Sequence, residues 1–335
     1  MSAIKTPALI DVHTHVVPAS IPSNPLTDSL ERWPQVRCGE CGHRTVYHGD
    51  KPFRTLAPNA WDVEQRVLEM DDQGVGMQVL SPMPELLGYW LDPRQTEVLA
   101  DCVNASIATM VVSRPERFVG FGMVTLQDPV RAVREVERIA KVFGLSGIEI
   151  GSHVNGTPIG DARFAEFFAA VAANDLALFV HAIHPSRERI VGPPLMEALV
   201  AFPQELALAG MSLMAGQVLE SNPDLRLCLS HVGGTLPWIS GRIRHGWQVA
   251  EDVRATFQTD PAQWIRQVWH DTLVYDPQIL QGLIGRVGVN RLMIGTDYPF
   301  LIQETDPAGV IDALGRDTKV RRAIAYDNAV NYLKL

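Results

Sequence analysis

The segment "ALIDVHTHVVP" (residues 8–18) joins a short apolar run to two histidines that lie one residue apart. Ala8 to Val12 is apolar apart from one carboxylate, which predicts a short buried strand. Side chains at positions i and i+2 of a strand point to the same side. His13 and His15 are therefore expected to project together from the C-terminal end of this strand. Because an H-x-H pattern alone is common, the pair is either a pair of metal ligands or a coincidence, and the rest of the chain must distinguish the two.

Seven further apolar runs repeat the strand pattern along the chain, with amphipathic segments between them. The predicted strands lie at 75–81, 117–123, 147–151, 176–182, 225–231, 272–276 and 291–297. The amphipathic segments lie at about 60–74, 93–113, 128–144, 161–173, 205–220, 235–254, 277–286 and 318–333. Eight strands that are each followed by a helix are typical of the α/β class and predict a (β/α)₈ TIM barrel. A doubly wound sheet shares the alternation and is the alternative.

The ends and faces of two amphipathic segments support the helical interpretation. Residues 60–74 and 128–144 both finish at a glycine, which suits a helix C-cap. The predicted inward stripe of the second segment is Val130, Val133, Val136 and Ile139.

One region, residues 19–59, does not fit the strand–helix repeat. It is rich in Pro, Gly and Cys, and "PQVRCGECGHRTVYHG" suggests a hairpin. We expect residues 1–335 to form a single barrel domain. Residues 19–59 are expected to be a small β-containing insertion that lies over the C-terminal mouth of the barrel.

Composition restricts the classes of function. The 335 residues are 46% hydrophobic and 20% charged, with a formal net charge of −9, which argues against nucleic acid or an anionic membrane as a partner. We expect no transmembrane helix, because no run of 18 apolar residues occurs. The N-terminal segment lacks the long apolar region of a secretory signal, and four scattered cysteines do not make a disulfide framework. We therefore expect a cytoplasmic protein.

Metal-binding side chains recur at the ends of the predicted strands. His181 ends the fifth strand, His231 the sixth and Asp297 the eighth, while His13 and His15 end the first. In a barrel all of these ends meet at one face, where active sites are built. Each residue alone has an ordinary alternative, such as a backbone-bonded core histidine, a turn residue or a helix N-cap. Five such side chains at four strand ends favour a shared metal site.

The same strand ends resemble a known family. "IDVHTHVVP", "GIEIGSHVNG", "LSHVGGTLPWISGRI" and "RLMIGTDYPF" are similar to segments of the amidohydrolase superfamily, in its decarboxylase branch. The resemblance implies that four residues ligate a single Zn²⁺, namely His13, His15, His181 and Asp297. Three imidazoles and one carboxylate suit zinc. The fourth strand ends without the lysine that bridges two metals in binuclear members, which favours one metal per chain.

The resemblance also implies roles for residues beside the metal. His231 is similar to a histidine that transfers protons near the metal without binding it. Arg54 resembles an arginine that holds a substrate carboxylate, and Arg242 resembles one that the neighbouring subunit contributes, which implies a homodimer. Guanidinium groups grip carboxylates bidentately. The alternative for either arginine is a surface salt bridge.

The activity implied is zinc-dependent, non-oxidative decarboxylation of a small unsaturated or aromatic carboxylate. The resemblance implies 2-amino-3-carboxymuconate-6-semialdehyde or a close analogue as the substrate. The alternative is a metal-dependent hydrolase or hydratase that opens a lactone, or adds water, on a related dicarboxylate.

A second cysteine-based pattern, "CGECGH" (38–43), resembles half of a zinc site. Cys38, Cys41 and His43 lack a convincing fourth ligand, since Cys102 lies in a predicted helix and Cys228 in a predicted strand. A structural metal or a redox-labile pair at Cys38 and Cys41 remains an open alternative.

Overall fold

The computed structural model describes residues 9–26, 32–39, 42–315 and 317–335, and its main feature is a parallel sheet of eight strands. In chain order the strands are β1 (Leu9–Val16), β2 (Pro34–Cys38), β3 (Arg44–His48), β4 (Lys51–Leu56), β5 (Val75–Pro82), β6 (Phe118–Gly122), β7 (Gly147–Gly151), β8 (His153–Val154), β9 (Thr157–Pro158), β10 (Ala177–His181), β11 (Arg226–Leu229), β12 (Trp269–Asp271) and β13 (Leu292–Met293). The main sheet has the order β1-β5-β6-β7-β10-β11-β12-β13.

The first strand of this sheet returns to the last. The Val12 amide donates to the Ile294 carbonyl at 2.8 Å, and the His15 amide donates to the Tyr298 carbonyl at 2.7 Å. Parallel bridges join Asp11 to Ile294 and Thr14 to Tyr298. The predicted (β/α)₈ barrel is thus confirmed over the doubly wound alternative.

Helices surround the barrel, and most barrel strands are followed by one. They are α1 (Val63–Asp72), α2 (Pro93–Ser113), α3 (Pro129–Lys141), α4 (Ala165–Ala173), α5 (Phe202–Ala215), α6 (Val218–Ser221), α7 (Leu236–Val249), α8 (Glu251–Thr256), α9 (Pro261–Ile265), α10 (Pro277–Val287), α11 (Pro307–Asp312), α12 (Thr318–Arg322) and α13 (Asn328–Leu333). Several begin at an aspartate N-cap followed by proline, as at Asp92 and Asp276. The aspartate side chain accepts hydrogen bonds from backbone N–H groups of the first turn, and proline suits the first helical position because its missing N–H would have no partner there.

The inward face of α3 agrees with the prediction at Val136 and Ile139, which are buried, and at Val133, which packs partly buried against the core, but not at Val130. Val130 is 69% exposed, whereas Ala132, Glu135, Val136 and Ile139 are buried. Pro129 is the first residue of the helix, so Val130 lies in the first turn, and the buried stripe begins at Ala132. The inward face also includes a carboxyl group, that of Glu135, which the apolar pattern alone does not indicate.

The interior of the barrel is apolar towards the N-terminal ends of its strands. Ile10, Val79 and Phe179 belong to one buried cluster there, together with Tyr332 of α13. The Tyr332 hydroxyl donates to the Leu178 carbonyl at 2.9 Å. Because α13 packs against this end, polar chemistry is left to the opposite, C-terminal end.

The seventh barrel strand lies earlier in the chain than predicted. The prediction placed it at 272–276, but the strand is β12, and Asp276 caps α10 instead. Trp269 and His270 pair with Cys228 and Leu229 of β11. The apolar "LVY" segment looked more strand-like than "WHD", whose polar side chains are buried only through tertiary contacts.

The region before α1 carries a separate antiparallel sheet of three strands, β2-β3-β4. The predicted hairpin is confirmed, since Val36 pairs with Val46 between β2 and β3. Trp33, Val46 and Leu56 attach this sheet to the main hydrophobic core. Cys38 is exposed, and Cys41 lies outside the described residues, as does the metal or redox site considered for that pair.

One helical stretch, Glu197–Ala215, has the length and mean hydropathy (1.4) of a membrane span, and 33% of it is buried within the fold. It contains α5, where Leu206 and Leu213 face the core. Gly210 lies close against Leu236 of α7, since a Cβ there would come within 2.5 Å of a Leu236 methyl. In this fold the stretch belongs to the outer helical layer of the barrel.

Candidate metal centre and active site

Four buried side chains converge at the C-terminal end of the barrel. His13 and His15 project from β1, His181 ends β10, and Asp297 follows β13. One potential ligand atom from each lies within 4.8 Å of the others, and no second such cluster occurs among the described residues. The Nε2 atoms of the three histidines and Oδ1 of Asp297 are buried without a hydrogen-bond partner. Four orphaned, converging donor atoms are what a bound cation would satisfy.

The other nitrogen of each ring fixes the tautomer of these histidines. His13 Nδ1 lies 2.7 Å from Asp271 Oδ2, His15 Nδ1 lies 2.9 Å from the Pro82 carbonyl, and His181 Nδ1 lies 2.7 Å from the Ala182 carbonyl. Because each partner only accepts hydrogen bonds, the proton lies on Nδ1. Each Nε2 therefore presents its lone pair to the cluster, as a metal ligand requires.

The electrostatics of the cluster also suit a cation. Burial lowers the pKa of His15 and His181, which keeps both rings neutral. Burial alone would also lower the pKa of His13, but the carboxylates of Asp271 and Asp297 outweigh it and raise that pKa to about 10. Burial opposes ionisation of Asp297, yet His13 and His15 hold its pKa well below its usual range. The cluster thus favours a second proton on His13, at Nε2, and a divalent ion would take the place of that proton.

The end of β7 carries a buried carboxyl group rather than a lysine. Glu149 Oε2 lies 3.7 Å from His15 Nδ1, and burial raises the pKa of Glu149 well above its usual range. Glu149 is not among the described residues whose ligand atoms converge on the cluster.

His231 stands beside the cluster without belonging to it. Its ring centroid is 5.1 Å from that of His13 and 5.2 Å from that of His181. Its Nε2 atom is buried without a hydrogen-bond partner. Burial lowers the pKa of His231 to about 4, with a further contribution from His13. The His231 ring is therefore neutral at physiological pH.

Arg54, on β4, reaches the rim of the site. Its Nη2 donates to Glu85 Oε1 at 2.9 Å, and its guanidinium lies 4.2 Å from the centroid of the Phe300 ring. Phe300 in turn stacks on His15, with centroids 4.9 Å apart. A cavity of about 180 Å³ adjoins this rim and is lined by Glu85 and Phe202 among others.

Arg242 is not brought to the site within one chain. It lies exposed on α7, and no ion pair or hydrogen bond involves its side chain among the described residues.

Sequence analysis missed two carboxylates of this site. Asp271 binds His13, and it was missed because the end of its strand was placed five residues too late, at 276. Glu85 binds Arg54, and its only local signal was its position just after the β5 strand. A third buried group, Arg66 of α1, donates to the His15 carbonyl at 2.6 Å and so supports the β1 strand end.

Barrels that gather such ligands at the C-terminal ends of their strands form a class of metal-dependent enzymes. The model of the amidohydrolase family matches residues 10–335, and the chain belongs to this family.

Two relatives and one crystal structure show which members of the family this chain is similar to. 2-Amino-3-carboxymuconate-6-semialdehyde decarboxylase of Dictyostelium discoideum is 32% identical over 97% of this chain and 91% of the relative. The enzyme of the same name from Caenorhabditis elegans is 30% identical over 100% of this chain and 96% of the relative. The crystal structure of 5-carboxyvanillate decarboxylase LigW from Sphingomonas paucimobilis gives a TM-score of 0.81 at 25% identity, covering 98% of this chain and 99% of that chain. The predicted membership of the decarboxylase branch is confirmed, and the chain is a metal-dependent carboxy-lyase.

Proposed function

We propose that this enzyme removes CO₂ from 2-amino-3-carboxymuconate-6-semialdehyde or a close analogue, without an oxidant, using one Zn²⁺ per chain. The observation that carries the proposal is the unpartnered Nε2 of His231 beside four unpartnered ligand atoms. This arrangement sets a proton carrier next to a cation site. The relatives that match over nearly the whole chain support the substrate.

The residues proposed to hold the metal are His13, His15, His181 and Asp297. Three neutral imidazole nitrogens and one carboxylate oxygen are borderline and hard ligands without thiolate, a set that favours zinc. When bound, the ion supplies Lewis acidity that polarises the substrate and lowers the pKa of water.

The protein's own residues then direct the proton. His231 is neutral, so it takes a proton from water in the site and gives that proton to the substrate carbon, and a proton from solvent neutralises the hydroxide that is left. The bond between that carbon and the carboxylate breaks, its electron pair stays on the substrate, and CO₂ leaves. The proton delivered by His231 neutralises the carbanionic carbon. His231 thus acts first as a base and then as an acid within one turnover.

Substrate recognition is proposed to depend on Arg54. Glu85 and the Phe300 ring hold its guanidinium at the rim, which leaves further N–H groups for a substrate carboxylate. The sheet that carries Arg54 lies within residues 19–59, which we take as the insertion over the barrel mouth.

The working unit is proposed to be a cytoplasmic homodimer to which each subunit contributes Arg242. Exposed apolar side chains on α7 and on and just before α5, here called the α5–α7 patch, are proposed to form one surface with Arg242. The patch comprises Leu199, Val200, Leu208, Trp238 and Ile239. Trp238 and Ile239 precede Arg242 on α7, and α5 packs against α7 through Gly210 and Leu236. A second copy of the chain would cover this patch and bring a guanidinium with it.

The experiment that tests the proposal is an assay of the zinc-loaded enzyme against carboxymuconate semialdehydes and hydroxybenzoates. Released CO₂ and hydrated or ring-opened products are followed in parallel. We expect CO₂ from the semialdehyde in equimolar amount to substrate consumed. Water addition or lactone opening without CO₂ would establish the hydrolase or hydratase alternative instead.

A further inference from the structure

Asp271 connects two parts of the site that sequence analysis treated separately. The residue ends β12, is fully buried, and is not one of the four proposed ligands. Its Oδ2 accepts from His13 Nδ1 at 2.7 Å and from the His231 amide at 2.8 Å. Its Oδ1 accepts from the amides of Val232 at 2.8 Å and Leu273 at 3.2 Å. One carboxylate therefore receives four donors.

The turn that carries His231 has an unfavourable backbone. His231, Val232, Gly233 and Gly234 all have positive φ, at 48°, 57°, 70° and 60°. Positive φ is costly for a β-branched residue such as Val232, so the turn needs contacts that hold it. Its consecutive amides form a concavity suited to an anion, and the Asp271 carboxylate fills it.

The approach of Asp271 to His13 depends on a glycine. A Cβ at Gly295 would lie 2.6 Å from the Asp271 Cβ and 2.9 Å from the His13 Cβ. Both distances are shorter than side chains tolerate. Gly295 therefore leaves the space in which the Asp271–His13 hydrogen bond forms.

We propose that Asp271 is a positioning residue that couples the metal ligand His13 to the proton carrier His231. Its hydrogen bond keeps the proton of His13 on Nδ1 and so directs the Nε2 lone pair to the cation. Its two bonds to the turn hold the His231 ring beside the same cation. The inference rests on the proposed function in taking His13 as a ligand and His231 as the proton carrier.

Substitutions of Asp271 should weaken cation binding more as they remove more of its hydrogen bonds. An asparagine amide keeps one of the two acceptor oxygens, so Asp271→Asn loses two of the four hydrogen bonds, whereas Asp271→Ala loses all four. Gly295→Ala leaves Asp271 intact but forces it away from His13. All three changes keep the four ligand residues and should weaken cation binding, because partners of metal-bound histidines typically contribute 10- to 100-fold to affinity. The two Asp271 variants act through the lost hydrogen bonds alone, whereas Gly295→Ala also presses on the Cβ of His13.

The test measures the dissociation constant of Zn²⁺ by competition with a chelator, and kcat at saturating Zn²⁺. The control is Glu135→Gln, which alters a buried carboxyl group that binds Thr125 outside the site. We expect Zn²⁺ affinity to fall slightly or not at all in the control. It should fall about 10- to 100-fold in Asp271→Ala, with a smaller loss in Asp271→Asn and a measurable loss in Gly295→Ala. In the Asp271 variants kcat should stay reduced even when zinc saturates the site, since the His231 turn is released.

Two results would overturn the coupling. One is wild-type zinc affinity in both Asp271→Asn and Gly295→Ala. Neither of these variants leaves a cavity at position 271, so they test the coupling even if Asp271→Ala fails to fold. The other is weaker zinc binding with wild-type kcat at saturation, which would separate His231 from Asp271. If wild-type protein itself bound no zinc, the proposed zinc dependence would fail instead, so the two failures are distinguishable.

Discussion

The position of one proton on each imidazole controls the chemistry of the site. Backbone carbonyls fix the tautomers of His15 and His181, and a carboxylate fixes that of His13. His231 has no such partner for Nε2, and burial leaves it neutral. The three ring nitrogens that face the cluster are thus suited to binding, and the fourth is suited to proton transfer.

Removal of the His231 imidazole should therefore separate catalysis from metal binding. In His231→Ala we expect kcat to fall about 10²- to 10⁴-fold, the usual contribution of a general acid–base group. Zinc content should stay at the wild-type value, because His231 is outside the ligand cluster. Steady-state kinetics and metal analysis of the same preparation provide the measurement. Normal turnover in this variant would refute the role of His231.

Replacement of Arg54 should affect substrate binding more than the chemical step. A lysine keeps the charge but loses the planar fork, so Arg54→Lys should raise KM about tenfold and change kcat less. Arg44→Lys is a matched control on the same small sheet, since Arg44 donates to the Ala19 carbonyl and packs on Trp61. Equal KM values for the two variants would mean that Arg54 only forms a surface ion pair with Glu85.

Among the elements, the strand ends were the most predictable part of the molecule. The β1 histidines, His181 and Asp297 stood out because local alternation and the barrel rule place strand ends at one face. The β12 strand was misplaced, since Asp271 and His270 are buried only by contacts that the local pattern does not contain. The Arg54–Glu85 pair joins residues 31 positions apart, and no short-range pattern indicates it.

The carboxyl group on α3 should make the stability of the fold depend on pH. Burial raises the pKa of Glu135 to about 7, although Thr125 donates two hydrogen bonds to it. The unfolded carboxyl ionises near 4.5, whereas the folded one stays protonated until about pH 7. The folded state therefore loses stability as pH rises from about 4.5 to 7, by about 3 kcal/mol from this group.

Glu135→Gln should remove that loss, because glutamine cannot ionise. Urea unfolding of both proteins at pH 5 and pH 8 measures the difference between their free energies of unfolding. We expect the free energy of unfolding of the variant, minus that of wild type, to be higher at pH 8 than at pH 5. An equal difference at both pH values would show that Glu135 ionises normally in the fold.

For the whole molecule, the α5–α7 patch is the exposed apolar surface through which the proposed dimer would form. Leu208 is 63% exposed within the apolar stretch Glu197–Ala215, and Trp238 of α7 is 45% exposed. Arg242 lies on the same helix as Trp238. Association through this patch would protect apolar surface and supply a cation to the partner.

A charge in the patch should therefore dissociate the proposed dimer. We expect Leu208→Glu to elute as a monomer in size-exclusion chromatography with light scattering, and to lose activity as the dimer dissociates. Val112→Glu changes a valine that is 77% exposed on α2 and should leave the mass unchanged. A wild-type protein that is already monomeric, or a dimeric Leu208→Glu, would contradict this interface.

The most direct measurement is the zinc content per chain of the wild-type protein and of four single alanine variants, at His13, His15, His181 and Asp297. A fifth variant, His184→Ala, alters a rim histidine outside the cluster and is the control. We predict one zinc per chain in the wild type and the control, with severe loss in each ligand variant, and activity that disappears on chelation and returns with zinc. Full zinc content in any of the four variants, or undiminished turnover after complete chelation, would contradict the account.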